Sequence, residues 1–132
     1  MRILGISGSL RRGSYNSLLL RAASEMLPPS VELQAWDGLK AVPPFDEDDE
    51  AGPAPAAVAS LRGAIAASDA VLIATPEYNG SIPGQLKNAL DWASRPFDAT
   101  PLRNTPVAVV GASTGAFGAA WAQADLRCVL GT

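Results

Sequence analysis

The sequence predicts an α/β domain, a parallel sheet covered by helices on both faces. Strand-like and helix-like segments alternate along the whole chain, and most of the strand-like ones are apolar throughout, as interior parallel strands are. Three of the four predicted strands end in loops of small, hydroxylated or amide residues. In an open parallel sheet, ligands bind outside the carboxyl ends of the strands, at the switch point.

Residues 2–7, RILGIS, form a first short apolar strand. Gly8 to Tyr15 has loop composition, and Ser14 or Asn16 can cap the helix that follows. Leu18, Leu19, Ala22, Ala23, Met26 and Leu27 recur at helical spacing until Pro28-Pro29 stops the helix. Residues 31–36, VELQAW, alternate and predict a strand near an edge. Residues 37–55 carry Gly38, Pro43, Pro44, Gly52 and Pro53 and predict a surface loop. A helix over 56–67 places Val58, Leu61 and Ile65 on one stripe, and 70–75, AVLIAT, is an apolar strand. After the loop 76–83, a helix over 84–94 turns Leu86, Ala89, Leu90 and Ala93 inward. Residues 95–106 are irregular, 107–112 form a fourth strand, and 116–130 a last helix.

Composition narrows the function. The 132 residues, 48% hydrophobic, suit a single domain spanning 1–132 with one real core and exclude a wholly disordered chain. A net charge of −3 argues against nucleic acid, which needs clustered Lys and Arg. No run of apolar residues is long enough to span a membrane, and the terminus MRILGISGS is too short and too soon broken by Gly and Ser for a signal peptide. One cysteine, Cys128, cannot form an internal disulfide, so a reducing cytoplasm is expected. The absence of histidine removes Ser-His-Asp and Cys-His catalysis and His-ligated metals. Chemistry then falls to other side chains, backbone amides or a bound cofactor.

The loop Gly8-Ser9-Leu10-Arg11-Arg12-Gly13-Ser14-Tyr15-Asn16-Ser17 joins a strand to a helix amino terminus, where free amides and the helix dipole favour an anion. Ser9, Ser14, Ser17 and Asn16 offer further hydrogen bonds and Arg11 a charge-assisted one. The same residue types also make an ordinary polar turn with capping residues. Gly8 and Gly13 stand five apart, unlike the dinucleotide fingerprint, and no Gly-Lys-Ser/Thr follows, so a monophosphate fits better than a pyrophosphate. In the loop after the third strand, Pro76 and Pro83 stiffen the chain and Gly80 and Gly84 allow close approach. Exposed amides and Tyr78 there suit a planar heterocycle, although a rigid connection with Ser81 as cap has the same composition. Gly111-Ala112-Ser113-Thr114-Gly115 is a third, weaker loop.

GISGSLRRGSYNSLLLRAA, ATPEYNGSIPGQLKNALDWASRP and VVGASTGAFG together resemble the NAD(P)H-dependent FMN reductase family, the flavodoxin-like group that includes quinone, azo and chromate reductases. The resemblance implies a flavodoxin-like doubly wound parallel sheet, with the family order 2-1-3-4-5 reduced here to 2-1-3-4. It implies FMN with its phosphate on Ser9, Arg11, Ser14, Asn16 and Ser17, Leu10 and Tyr15 belonging to the same cofactor loop. The flavin ring and ribityl chain would lie against Pro76, Glu77, Tyr78, Asn79 and Gly80, with Ser113 and Gly115 closing the third side. It further implies a homodimer or homotetramer and hydride transfer from NADPH or NADH to the flavin, then to a quinone, azo compound, free flavin or metal oxyanion. No catalytic side chain and no metal are expected. A flavodoxin-like electron carrier and a flavin-free scaffold are the alternative readings. Family members continue with a fifth strand and a last helix; this chain ends at Thr132, which is expected to leave residues 107–110 as an apolar edge open to pairing.

Lesser features have plainer expectations. Asp46-Glu47-Asp48-Asp49-Glu50 reads as a solvated acidic loop before a cation site. Lys87, Asp91 and Arg95 share an exposed helix face suited to ion pairing. Trp36, Trp92 and Trp121 are expected in packing, Trp92 with a chance of touching a partner subunit, and Cys128 in or near the core.

Overall fold

The computed structural model describes residues 1–131. Four parallel strands, β1 (Arg2–Ser7), β2 (Glu32–Trp36), β3 (Ala70–Thr75) and β4 (Val107–Gly111), form one sheet in the order β2-β1-β3-β4. Register sets Ile3 beside Leu33 and Ala70, and Val71 beside Val107. The chain adds β2 on one side of β1 and then β3 and β4 on the other, so the carboxyl ends of β1 and β3 flank the switch point.

The two faces are covered unequally. Leu4, Ile6, Val71 and Ile73 point to one face and join a core with α3 (Ala56–Ala66), α4 (Gly84–Ala93) and α5 (Ala120–Leu130) through Val58, Leu61, Ile65, Leu86, Leu90, Ala122 and Leu126. Gly5 points to the other face. A Cβ there would lie 2.8 Å from Leu33 Cδ2 and 3.6 Å from Leu20, so glycine lets α1 (Tyr15–Met26) settle close on the sheet. The stripe of α3 and the inward positions of α4 are those the sequence predicts.

Several expectations change. In α1 the buried apolar residue is Leu20, while Leu18, Ala22 and Met26 face solvent. A run of three leucines satisfies two helical faces equally, and contact with Gly5 and β3 selects one. Residues 37–55 are not simply a surface loop. They form a 3-10 turn (Gly38–Ala41) and a one-turn helix, α2 (Glu47–Glu50), and Leu39 and Val42 enter the core. Side chains of α4 stitch this strap down. Gln85 Nε2 donates to Leu39 O and Val42 O, both at 2.8 Å, and Asn88 Nδ2 and Trp92 Nε1 donate to Pro43 O at 2.8 and 2.9 Å. Phe45 N donates to Asn88 Oδ1 at 2.7 Å, and its ring meets Trp92 edge-on at 5.0 Å.

Trp92 is therefore a core residue, fully buried, with its indole satisfied within the chain. Cys128 lies on the exposed side of α5 rather than in the core, and α5 begins at Ala120 because Gly118 and Ala119 adopt left-handed backbone just before it. Lys87 pairs with Asp91 at 2.7 Å, but Arg95 turns to Glu47 and Glu50 at 3.6 and 3.9 Å, tying the acidic segment to the end of α4. Arg62 donates twice to Trp92 O, at 3.1 and 2.8 Å. Burial pushes its guanidinium below the ordinary value, with Glu50 pulling it back up.

The two faces of α1 are separable by mutation. Leu20→Ala is expected to lower the unfolding free energy by about 3 kcal/mol, and Leu18→Ala to change it by no more than about 0.5 kcal/mol. Urea unfolding of both variants measures the difference; equal losses would contradict the assignment.

Candidate functional site

The loops at the carboxyl ends of β1, β3 and β4 lie side by side. Gly8 N donates to Ala74 O at 2.8 Å and so holds the start of the first loop against the end of β3. A Cβ on Gly8 would come 2.9 Å from Leu86 and 3.3 Å from Pro76, so this seam closes only around glycine.

In the first loop the serines meet the internal hydrogen-bond demands. Ser14 is buried and caps α1, its Oγ accepting from Asn16 N at 3.2 Å. Ser9 Oγ accepts from Arg11 N at 3.3 Å, and Ser7 Oγ accepts from Ser9 N at 3.4 Å and from Ser17 Oγ at 3.1 Å. Arg11 is exposed, touches Gly13 O at 3.3 Å and lies 5.6 Å from the centre of the Tyr15 ring. Leu10 and Tyr15 stand out into solvent. Among the described residues, the backbone N–H groups of Leu10, Arg12, Gly13, Tyr15 and Ser17 have no acceptor. Together with the positive end of the α1 dipole they offer a run of free donors suited to a phosphomonoester.

Asn16 departs from its expected role. It is buried, its Nδ2 donates to Ala112 O at 3.0 Å and its Oδ1 accepts from Ala112 N at 2.9 Å. Both ends of the carboxamide are thus engaged, and Asn16 ties the first loop to the third instead of reaching an anion.

The second loop contains a tight turn at Tyr78–Ser81. Tyr78 and Ser81 exchange backbone hydrogen bonds at 2.9 and 3.1 Å, while Asn79 and Gly80 adopt φ of 54° and 77°. That is the Asn-Gly reversal in which both central residues must be left-handed. The N–H groups of Asn79 and Gly80 have no acceptor among the described residues, and Tyr78 is half exposed. Pro76 is buried, its carbonyl accepting from Thr75 Oγ1 at 2.8 Å. The Glu77 side chain turns away from the turn: Oε2 accepts from Trp121 N and Ala122 N, both at 3.0 Å, and caps α5. Ser81 Oγ donates to Asp125 Oδ2 in a short hydrogen bond. In the third loop Ser113 Oγ accepts from Gly115 N at 3.1 Å.

The residues expected around the cofactor thus lie on the three apposed loops, with Asn16 and Glu77 bracing them. Sequence reasoning missed Ala112 and Asp125, whose partners are distant in the chain, and the exposed rings of Phe117 and Trp121, 4.7 Å apart beside the third loop.

The sequence profile of the NADPH-dependent FMN reductase family matches residues 1–132. The chain is 49% identical over 130 residues to an NAD(P)H-dependent FMN reductase of Pseudomonas aeruginosa and 41% identical over 132 residues to a quinone reductase of Escherichia coli; each match covers 98% of this chain and 69% of the relative. Among solved structures it is similar to FerB, a flavoenzyme NAD(P)H:(acceptor) oxidoreductase from Paracoccus denitrificans, with a TM-score of 0.90 and 40% identity over 98% of this chain and 70% of that one. An azoreductase from Bacillus anthracis shares the fold, with a TM-score of 0.70 at 17% identity.

Asn16→Ala is expected to lower stability by about 2 kcal/mol, because both Ala112 peptide groups lose their partner. Asn16→Asp is expected not to rescue it, since a carboxylate cannot donate to Ala112 O. Denaturant unfolding of the two variants reads the effect.

Proposed function

This chain belongs to the NADPH-dependent FMN reductase family and is an oxidoreductase, and from that premise we propose that it holds FMN across the loops at the carboxyl ends of β1, β3 and β4. The observation that carries the reading is the row of unpaired amides at the amino terminus of α1, together with the unpaired amides of the Asn79-Gly80 turn.

The N–H groups of Leu10, Arg12, Gly13, Tyr15 and Ser17 would take the phosphate, with Ser9 Oγ and the Arg11 guanidinium adding charge-assisted bonds. Ser14 keeps these amides aimed outward by capping α1 from within. The second loop would take the ring, with Pro76 beneath it, Tyr78 against its edge and Ser113 and Gly115 closing the far side. Bound there, FMN supplies two-electron chemistry, accepting hydride from NAD(P)H and yielding electrons to an acceptor. The N–H groups of Asn79 and Gly80 would favour negative charge on a ring held there, and the hydrogen bonds between Tyr78 and Ser81 hold the turn in place. No acid or base is demanded of the side chains.

The acceptor is a small planar molecule of the quinone class, a reading supported by relatives bearing that name. The protein works as a homodimer or homotetramer in the cytoplasm. Self-association is supported by the paired exposed rings of Phe117 and Trp121, an apolar surface suited to a partner. Placement in the cytoplasm is supported by dependence on nicotinamide nucleotides. No helix among the described residues is long and apolar enough to cross a membrane.

Anaerobic addition of NADPH to the FMN-loaded protein is expected to bleach the flavin absorbance, and a quinone to restore it. A yellow protein that NADPH leaves unbleached would be an electron carrier instead, and one that takes up no FMN would overturn the reading. Arg11→Ala is expected to weaken FMN binding about tenfold or more while leaving urea unfolding of the apoprotein unchanged. Sedimentation at micromolar concentration is expected to show an assembly larger than the monomer.

A further inference from the structure

The turn in the second loop is tied to α5 at both of its feet. Just before it, Glu77 Oε2 accepts from Trp121 N and Ala122 N, both at 3.0 Å, and at its end Ser81 Oγ donates to Asp125 Oδ2. Asp125 follows Trp121 by four residues, so the two ties meet α5 about one helical turn apart. Between the ties lie Tyr78, Asn79 and Gly80, and with them the two N–H groups that have no acceptor among the described residues.

α5 is a firm anchor. Ala122 and Leu126 are wholly buried. A Cβ on Gly111 would lie 2.8 Å from Thr75 O and 3.0 Å from Ala119 Cβ, so the helix begins pressed against the ends of β3 and β4. The helix also lacks a cap of its own. Its N-cap residue is Ala119, left-handed with a φ of 62° and without a side-chain acceptor, and no acidic residue occupies the first turn. Helices ordinarily take this acceptor from the N-cap side chain itself. Here it comes from Glu77, 44 and 45 residues before the amides it receives. A Ser or Asp at the helix start would satisfy those amides equally well and leave the turn free. With the acceptor in the loop, the same two bonds cap the helix and fix the turn.

We propose that Glu77 is a positioning residue for flavin reduction. Its bonds to α5, with the bond from Ser81 to Asp125, hold the Asn79 and Gly80 amides where a ring carried by the loop gains negative charge. The inference rests on the proposed placement of FMN and adds to it a residue that acts through α5 rather than by touching the flavin.

The test compares Glu77→Ala, Glu77→Gln and Ser81→Ala with the unaltered chain, without and with FMN. In the apoprotein the amide protons of Tyr78 and Ser81 are expected to exchange about tenfold faster or more in Glu77→Ala and Ser81→Ala, as the turn opens. Glu77→Gln is expected to stay near the unaltered chain, because its carboxamide oxygen still accepts from both amides. In the FMN-loaded protein, Glu77→Ala is expected to shift the flavin absorption bands and to slow reduction at saturating NADPH about tenfold or more, with the KM for NADPH nearly unchanged and both effects reversed in Glu77→Gln. Ser81→Ala leaves the cap of α5 intact and is expected to act in the same direction; it carries the test if Glu77→Ala does not fold. A role confined to capping would lower the urea midpoint of Glu77→Ala and leave amide exchange, spectrum and reduction rate unchanged in Ser81→Ala. That result overturns the proposal, as does Glu77→Gln behaving like Glu77→Ala. If the unaltered chain takes up no FMN, the placement of the flavin has failed and the proposal with it. That outcome is distinct from the proposal's own failure, in which FMN binds and every variant reduces it at the unaltered rate.

Discussion

The reciprocal hydrogen bonds between the Asn16 carboxamide and the Ala112 peptide make one site of loops that would otherwise be independent. Asn16 sits in the first turn of α1 and Ala112 just beyond β4, so this pair fixes the spacing across the intervening end of β3. A carboxamide is the side chain that can match a peptide's donor and acceptor at once, and burial makes each of those bonds hard to replace with water. Glu77 and Ser81 extend the same bracing to α5, through its amino-terminal amides and through Asp125.

This bracing explains why so many amides on the loops have no acceptor. A loop with nothing to hold it folds back on its own peptide groups, because an unsatisfied donor is costly wherever it is shielded from water. Here the hydroxyls of Ser7, Ser9 and Ser14 accept from backbone N–H groups, with Ser17 donating to Ser7, and this fixes the path of the backbone while the peptide N–H groups at Leu10, Gly13 and Tyr15 are left without an acceptor among the described residues. The serines that the sequence suggested as direct ligands therefore divide their work. Ser14 is wholly internal, and Ser9 remains at the rim with its hydroxyl already positioned.

Legibility in the sequence followed the range of the interactions. The stripe of α3 and the apolar strands depend on periodicity over a few residues, and they were readable. The Asn79-Gly80 turn is local and carried its own signal. The inward face of α1 was not decided locally, because Leu18, Leu19 and Leu20 fit either orientation until Gly5 and β3 are placed beneath them. The strap over residues 37–55 was read as a loop for its glycines and prolines, yet its carbonyls are what Gln85, Asn88 and Trp92 bind from α4. Asn16 is marked as important by composition, but its partner lies 96 residues away, and no periodicity reports that distance. Trp92 packs in the core as the sequence predicts, and the carbonyl of Pro43, supplied by the same strap, satisfies its indole there.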